Sequence, residues 1–291
     1  MVTIAFIYAT LLAGNSFISI GGIRLRAISF IILVCLLAGC STSTEEDLVI
    51  HAFKVGKADS FLIEHDSEYV LIDAGEEDDG EDIVKYLQQH NIYRLKALIV
   101  THYDKDHVGG ADYIVEALDI EHIYVPNYES DSKQTKQFLK AVNKAGNTLE
   151  KLTKVTNIKV GSANGTIYPP MKNSYNGDND YSLVVSLTYG ETGFLFAGDI
   201  EEERIADLLA DTTIDWQHTF LKVPHHGRFN DETTAFFEAV QPQVALITSS
   251  DKKPEEDAVV SALQAVDAKI FKTRAGDVEV TSDGTDIFVD Q

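Results

Sequence analysis

Cysteine is nearly absent. Cys35 and Cys40 are the only two in 291 residues, and both lie at the front of the chain. Nothing beyond residue 40 carries a thiol, which excludes a disulfide framework and a thiolate zinc site. Basic residues are scarce as well: 24 Lys and Arg stand against 46 Asp and Glu, a net charge of −22. Residues 1–39 hold two arginines and no acid, so the remainder carries 22 basic and 46 acidic side chains, or −24. Such a field opposes tight, non-specific duplex binding, which needs clustered Lys and Arg. A polyanion is still admissible where bound divalent cations neutralise a site locally and salt screens the rest. There is no internal repeat and no long low-complexity tract. A hydrophobic content of 44% is ordinary for a globular protein, and the length suits one large domain or two small ones.

The amino terminus reads as a targeting segment. Arg24 and Arg26 form a basic flank, and residues 27–36 are apolar over a length that suits the hydrophobic region of a signal peptide. Leu37-Ala38-Gly39-Cys40 follows and resembles a bacterial lipobox, which implies cleavage before Cys40 and acylation of its thiol. Residues 1–39 are therefore expected to be a lipoprotein-type signal peptide. Residues 40–47 would be the lipidated cysteine and a polar tether, and 48–291 the folded domain. This implies an extracytoplasmic protein held at the cell membrane through Cys40; no protein partner is identifiable. An uncleaved membrane helix is the competing reading. Residues 1–22 add a second apolar stretch upstream, so either the leader is long or translation starts after Met1.

The densest chemistry lies in Thr101-His102-Tyr103-Asp104-Lys105-Asp106-His107-Val108-Gly109-Gly110. His102, Asp104, Asp106 and His107 put four ligand-type side chains within six residues, on a loop between an apolar strand and a helix. Open α/β sheets place their sites at that end of a strand. Mixed imidazole and carboxylate donors suit zinc, manganese or iron. A polar surface loop is the plain alternative.

The decamer resembles the His-x-His-x-Asp-His-x-Gly-Gly signature of the metallo-β-lactamase superfamily, with Asp104 in place of the second His. That variant resembles the hydrolase domain of the ComEC family of competence DNA-uptake channels. Further segments agree in order: Val55-Gly56-Lys57-Ala58-Asp59-Ser60, Tyr69 through Gly75 with its Asp-x-Gly, Asn179-Asp180-Tyr181-Ser182-Leu183-Val184, Phe194 through Ile200 with its Gly-Asp, and Leu221-Lys222-Val223-Pro224-His225-His226-Gly227. The likeness spans roughly residues 48–289. It implies a four-layer αββα sandwich and two divalent ions, zinc or manganese. His102, Asp104 and one of His225 and His226 would hold the first ion. Asp106 and His107 would hold the second, with Asp199 bridging and Asp73 supporting the ligands. Asp106, Asp199 and His226 would carry the catalysis, and the other histidine of the pair could donate a proton. Relatives carry a later His where this chain has Ser249-Ser250-Asp251-Lys252-Lys253-Pro254, so one ligand of the second ion is missing unless Asp251 or Glu255 replaces it. Arg228 stands where relatives have Ser. Asp199 could instead cap a helix starting near residue 201.

Pattern alone supports an α/β domain. Strands are expected at 47–55, 60–64, 69–73, 96–101, 122–125, 156–160, 166–168, 183–188, 193–197, 219–223, 244–248, 270–273, 278–281 and 287–289. Helices are expected at 82–89, 111–118, 133–144, 201–209, 232–240 and 255–266. Residues 172–180 read as a loop that overhangs the site. The implied activity is metal-assisted hydrolysis of a phosphodiester, with nucleic acid as one substrate class. An esterase acting on phosphocholine or teichoic-acid groups competes with it, as does a metal-binding interaction protein with weakened catalysis.

Overall fold

The structure, a computed structural model, describes residues 46–291; the leader, Cys40 and the tether up to Glu45 lie outside the described residues. The strands are β1 Leu48–Ala52, β2 Phe61–His65, β3 Glu68–Ile72, β4 Arg94–Ile99, β5 Asp119–Pro126, β6 Leu149–Leu152, β7 Thr156–Val160, β8 Ala163–Tyr168, β9 Val184–Tyr189, β10 Thr192–Phe196, β11 Phe220–Lys222, β12 Val244–Ile247, β13 Lys269–Lys272, β14 Val278–Ser282 and β15 Ile287–Asp290. One sheet runs β15-β14-β1-β2-β3-β4-β5-β6 and the other β13-β12-β11-β10-β9-β8-β7. The division is not simply one sheet per half of the chain, because β14 and β15 return to the first sheet beside β1. The helices are α1 Gly80–Gln89, α2 Lys105–Val108, α3 Ala111–Ala117, α4 Lys133–Ala145, α5 Glu202–Ala210, α6 Thr233–Val240 and α7 Asp257–Ala265.

The strand alternation explains the layers. Successive side chains of a strand point to opposite faces. Ala97 and Ile99 of β4, Phe194 and Phe196 of β10, and Phe220 of β11 enter one apolar cluster between the sheets. Leu98 and Val100 join a second cluster with α1, α3 and α4. Leu195, Ala197 and Leu221 join a third with α5, α6 and α7. Three apolar clusters separate four layers, the αββα sandwich expected. Phe196 and Phe220 are each at most 1% exposed, and full burial of such a ring is worth about 1.5–3 kcal/mol.

Two features depart from the sequence reading. β6 pairs with β5 in parallel although its Leu-Glu-Lys-Leu shows little apolar character; it is an edge strand buried at one residue. A short helix, α2, also interrupts the ligand loop. β3–β4–β5 and β10–β11–β12 are parallel runs, so their carboxyl ends open onto one edge of the sandwich.

Candidate metal centre

The loop after β4 is folded by its own backbone. The Asp104 carbonyl accepts from His107 N at 3.0 Å and Val108 N at 2.9 Å, which winds α2 and turns Asp106 and His107 inward; both are buried. The Gly109-Gly110 pair then lets this turn pack against the loop after β3. A Cβ on Gly110 would sit 2.4 Å from the Ala74 carbonyl oxygen, and one on Gly109 2.2 Å from that of Lys105. Gly110→Ala is therefore expected to push the ligand loop off its neighbour, costing about 1–3 kcal/mol as overpacking does. The check is thermal unfolding together with bound metal per chain; a variant matching the parent in both would refute the close-approach argument.

The three histidines share one arrangement. His107 Nδ1 donates to Asp73 Oδ2 at 2.8 Å. His226 Nδ1 donates to the Thr248 carbonyl at 3.1 Å, an atom that can only accept. Thr101 Oγ1 donates to Asp73 Oδ2 at 2.7 Å, so toward His102 Nδ1, 3.2 Å away, it accepts. Each ring therefore carries a proton on Nδ1, so Nε2 is the nitrogen left to offer a lone pair to a cation. All three Nε2 atoms are buried without a hydrogen-bond partner among the described residues. They face Asp199 and Asp106. Asp199 Oδ2 lies 2.9 Å from His226 Nε2 and 3.2 Å from His107 Nε2, and Asp106 Oδ2 lies 3.5 Å from His226 Nε2. His102, His107 and Asp199 form one set of possible donors to an ion, and Asp106, His107 and His226 another. An orphaned imidazole nitrogen is costly in a protein interior, about 1–3 kcal/mol each, unless a cation completes it. The donor set fits a divalent metal, with the outer nitrogen of each ring fixed by hydrogen bonds as metal-binding histidines require.

Charge agrees with this geometry. Burial alone would lift the Asp199 carboxyl, but His226, His107 and Lys222 hold it well below the usual carboxylate range. Burial and the neighbouring His107 hold His102 well below its ordinary value. Burial opposes the charge of His107 too, yet the Asp199, Asp73 and Asp59 carboxylates hold it well above. Backbone strain also gathers here. Asp73, His225 and His226 have φ of 59°, 46° and 53°, a left-handed conformation that costs a non-glycine residue about 1–3 kcal/mol and concentrates at functional sites.

Residues 54–248 match the metallo-beta-lactamase superfamily. The chain belongs to that superfamily. ComE operon protein 3 of Bacillus subtilis is 24% identical over 174 residues, 58% of this chain and 22% of that protein. Ribonuclease J of Mycoplasma pneumoniae is 34% identical over 82 residues, 25% of this chain and 14% of that one. The chain thus spans less than a quarter of the length of either relative, and the first agrees with the ComEC-type likeness of the motifs. Among solved structures, the metallo-beta-lactamase fold protein YhfI of Bacillus subtilis superposes with a TM-score of 0.54 at 13% identity, covering 84% of this chain and all of that one.

The expected site residues fall into two groups. His102, Asp106, His107, Asp199 and His226 converge. His226 groups with Asp106 and His107, which the sequence had assigned to the other ion. His225 lies apart from these donor sets. The turn through residues 224–227 sends the two rings in different directions, and His225 Nδ1 lies 2.9 Å from Glu201 Oε1. Asp104 also stands outside them, half exposed, with Oδ2 3.9 Å from His102 Nε2. Neither substitute for the later His reaches the cluster. Glu255 is held by Lys272 at 2.6 Å, Arg274 at 3.1 Å and the Ser249 hydroxyl at 2.8 Å, and Asp251 is exposed. Asp199 is not the helix cap. The Asp180 carboxylate takes that role, accepting from Glu201 N at 2.7 Å and Arg204 N at 3.3 Å. The 172–180 loop is fastened to α5 through Lys172 and Tyr175, both on Asp207.

Two residues of the site were given no role by the sequence reading. Lys57 Nζ lies 2.9 Å from Asp106 Oδ2. Lys222, 1% exposed, bonds Asp199, Asp59 and the Gly198 carbonyl. The available signal for Lys222 was a lysine inside the apolar strand Phe-Leu-Lys-Val, directly before Pro-His-His-Gly.

Proposed function

We propose that the protein is an extracytoplasmic, lipid-anchored phosphodiesterase whose site holds two divalent ions. The leader and the Leu-Ala-Gly-Cys segment support export and anchoring at Cys40. The observation that carries the phosphodiester is an open cavity of about 870 Å³ beside the cluster, lined by Lys57, Arg228, Lys252, Lys253 and Arg274. Three acids line it too: Glu255 is engaged by Lys272 and Arg274, Glu256 lies 3.7 Å from Arg228, and Asp257 stands beside them, which leaves the five basic side chains in excess. Lys252 and Lys253 thus offer positive charge to an anionic substrate on a chain of net charge −22. An anion is favoured here because the cavity focuses a local field that the distant acids, screened by salt, do not cancel.

In this reading His102 and Asp199 would serve one ion and Asp106 and His226 the other, with His107 within reach of both sets. When bound, such ions acidify water and neutralise the charge of the diester. Asp73 and the Thr248 carbonyl keep the His107 and His226 rings oriented. His225, set by Glu201 at 2.9 Å and bordering the cationic cavity, is placed to give a proton to the leaving oxygen. Nucleic acid is the first substrate class to try, supported by the ribonuclease J likeness.

The test compares the zinc- or manganese-loaded protein on bis-p-nitrophenyl phosphate, a β-lactam and a glutathione thioester. Diester turnover well above the other two is expected, and turnover of the thioester or lactam instead would overturn the substrate assignment. In cells, Cys40→Ala is expected to move the protein out of the membrane fraction; unchanged fractionation would remove the lipid anchor from the proposal.

A further inference from the structure

Lys222 is a fully buried cation at the end of an apolar strand. It ends β11, where strand alternation places it on the same face as Phe220, toward the space between the sheets. A lysine there must find partners, because an unpaired buried ammonium is far too costly. It finds them across the sandwich. Its ammonium donates to the Gly198 carbonyl at 2.7 Å and to Asp199 Oδ1 at 3.1 Å in its own sheet. It also pairs with Asp59, which lies on the β1–β2 connection of the other sheet. Lysine and both carboxylates are at most 2% exposed.

The division of the Asp199 oxygens is the informative point. Oδ1 is taken by Lys222, whereas Oδ2 is the atom near His107 Nε2 and His226 Nε2. Asp59 is close enough to Asp73 and His107 to count as a third possible donor set. Its Oδ2, however, faces both Lys222 and, at 3.7 Å, the outer nitrogen of His107. We infer that Lys222 is a positioning residue of the metal centre: it holds Asp199 so that Oδ2 alone is presented to the ions, and it keeps Asp59 out of their coordination. This rests on the reading of the cluster as a metal centre, but not on the phosphodiester substrate. The ammonium also offsets the charge that two buried carboxylates would otherwise carry together. Burial works against its charge, but Asp59 and Asp199 hold the lysine above its ordinary value, so it stays cationic.

The experiment reads metal rather than turnover. Lys222→Met removes the charge, and Lys222→Gln keeps a donor of similar length. Cobalt-loaded parent and variants are compared by visible absorption, and zinc affinity by competition with a chelator. A ligand released from its orienting partner is expected to weaken zinc by about 10- to 100-fold and to move the cobalt bands, with Gln less affected than Met. A purely structural lysine would lower the unfolding temperature and leave the cobalt spectrum and the zinc affinity of the folded fraction in place; that result overturns the inference. Wild-type protein labelled with 15N-lysine supplies a check that needs no variant. The protected ammonium resonance of Lys222 should shift when zinc is added, and an unmoved resonance counts equally against the assignment. If the parent protein binds neither cobalt nor zinc, it is the metal-centre reading that falls. Asp59→Asn should retain its metal per chain; loss of metal would make Asp59 a ligand and overturn the proposal.

Discussion

Asp199→Ala is expected to abolish turnover and to strip metal from the purified protein while leaving it folded. Asp199 Oδ2 lies 2.9 Å and 3.2 Å from two of the three inward-facing imidazole nitrogens. Without it, His102 and His107 lose the only carboxylate in their donor set. Loss of metal-based charge stabilisation is worth several kcal/mol in the transition state, so a fall in kcat of about 10³-fold or more is expected. The fold should survive, because Lys222 keeps Asp59 and the Gly198 carbonyl as partners. Metal analysis, circular dichroism and diester hydrolysis on the same sample decide the matter. A folded variant with full metal content and undiminished turnover would mean that the cluster is not the catalytic centre.

Adding metal should stabilise the protein strongly. In the metal-free protein three buried Nε2 atoms have no hydrogen-bond partner among the described residues, and a cation gives each of them one. At a free concentration a hundred times Kd, binding contributes about 2.7 kcal/mol by linkage. For a unit of this size each kcal/mol is worth roughly 2–4 °C, so zinc or manganese should raise Tm by about 5–10 °C over protein kept in a chelator. The sign with pH follows from His107. Its carboxylate neighbours hold it above its ordinary value against the effect of burial, so a proton competes with metal for this ring. Binding then releases a proton and strengthens as pH rises, and the stabilisation should be larger at pH 8 than at pH 6. Equal unfolding curves with metal and with chelator, at both pH values, would remove the metal from this site.

The loop that carries His102, Asp104, Asp106 and His107 could be read because its chemistry is local. Four ligand-type residues in six, bounded by an apolar strand and a glycine pair, need no tertiary information. The same holds for most elements, whose apolar period is fixed by the neighbours on one strand or helix. β6 escaped because an edge strand buries little and shows no period. His225 and His226 could not be told apart in the sequence. Adjacent and chemically identical, they are separated by two successive left-handed residues that send one ring to Glu201 and the other to Asp199.

The order of the motifs, through the likeness they carry, thus decided the superfamily, the αββα class and the residues from which a metal centre can be built; composition and strand period reached only an α/β domain. Which oxygen of Asp199 faces the imidazoles, that His226 joins Asp106 and His107, and that Lys222 and Lys57 stand among them were decided by packing two sheets face to face. These residues lie far apart along the chain, and a cation buried against carboxylates from both sheets has no local signature. Its energy depends on partners that only the closed sandwich brings within hydrogen-bonding distance.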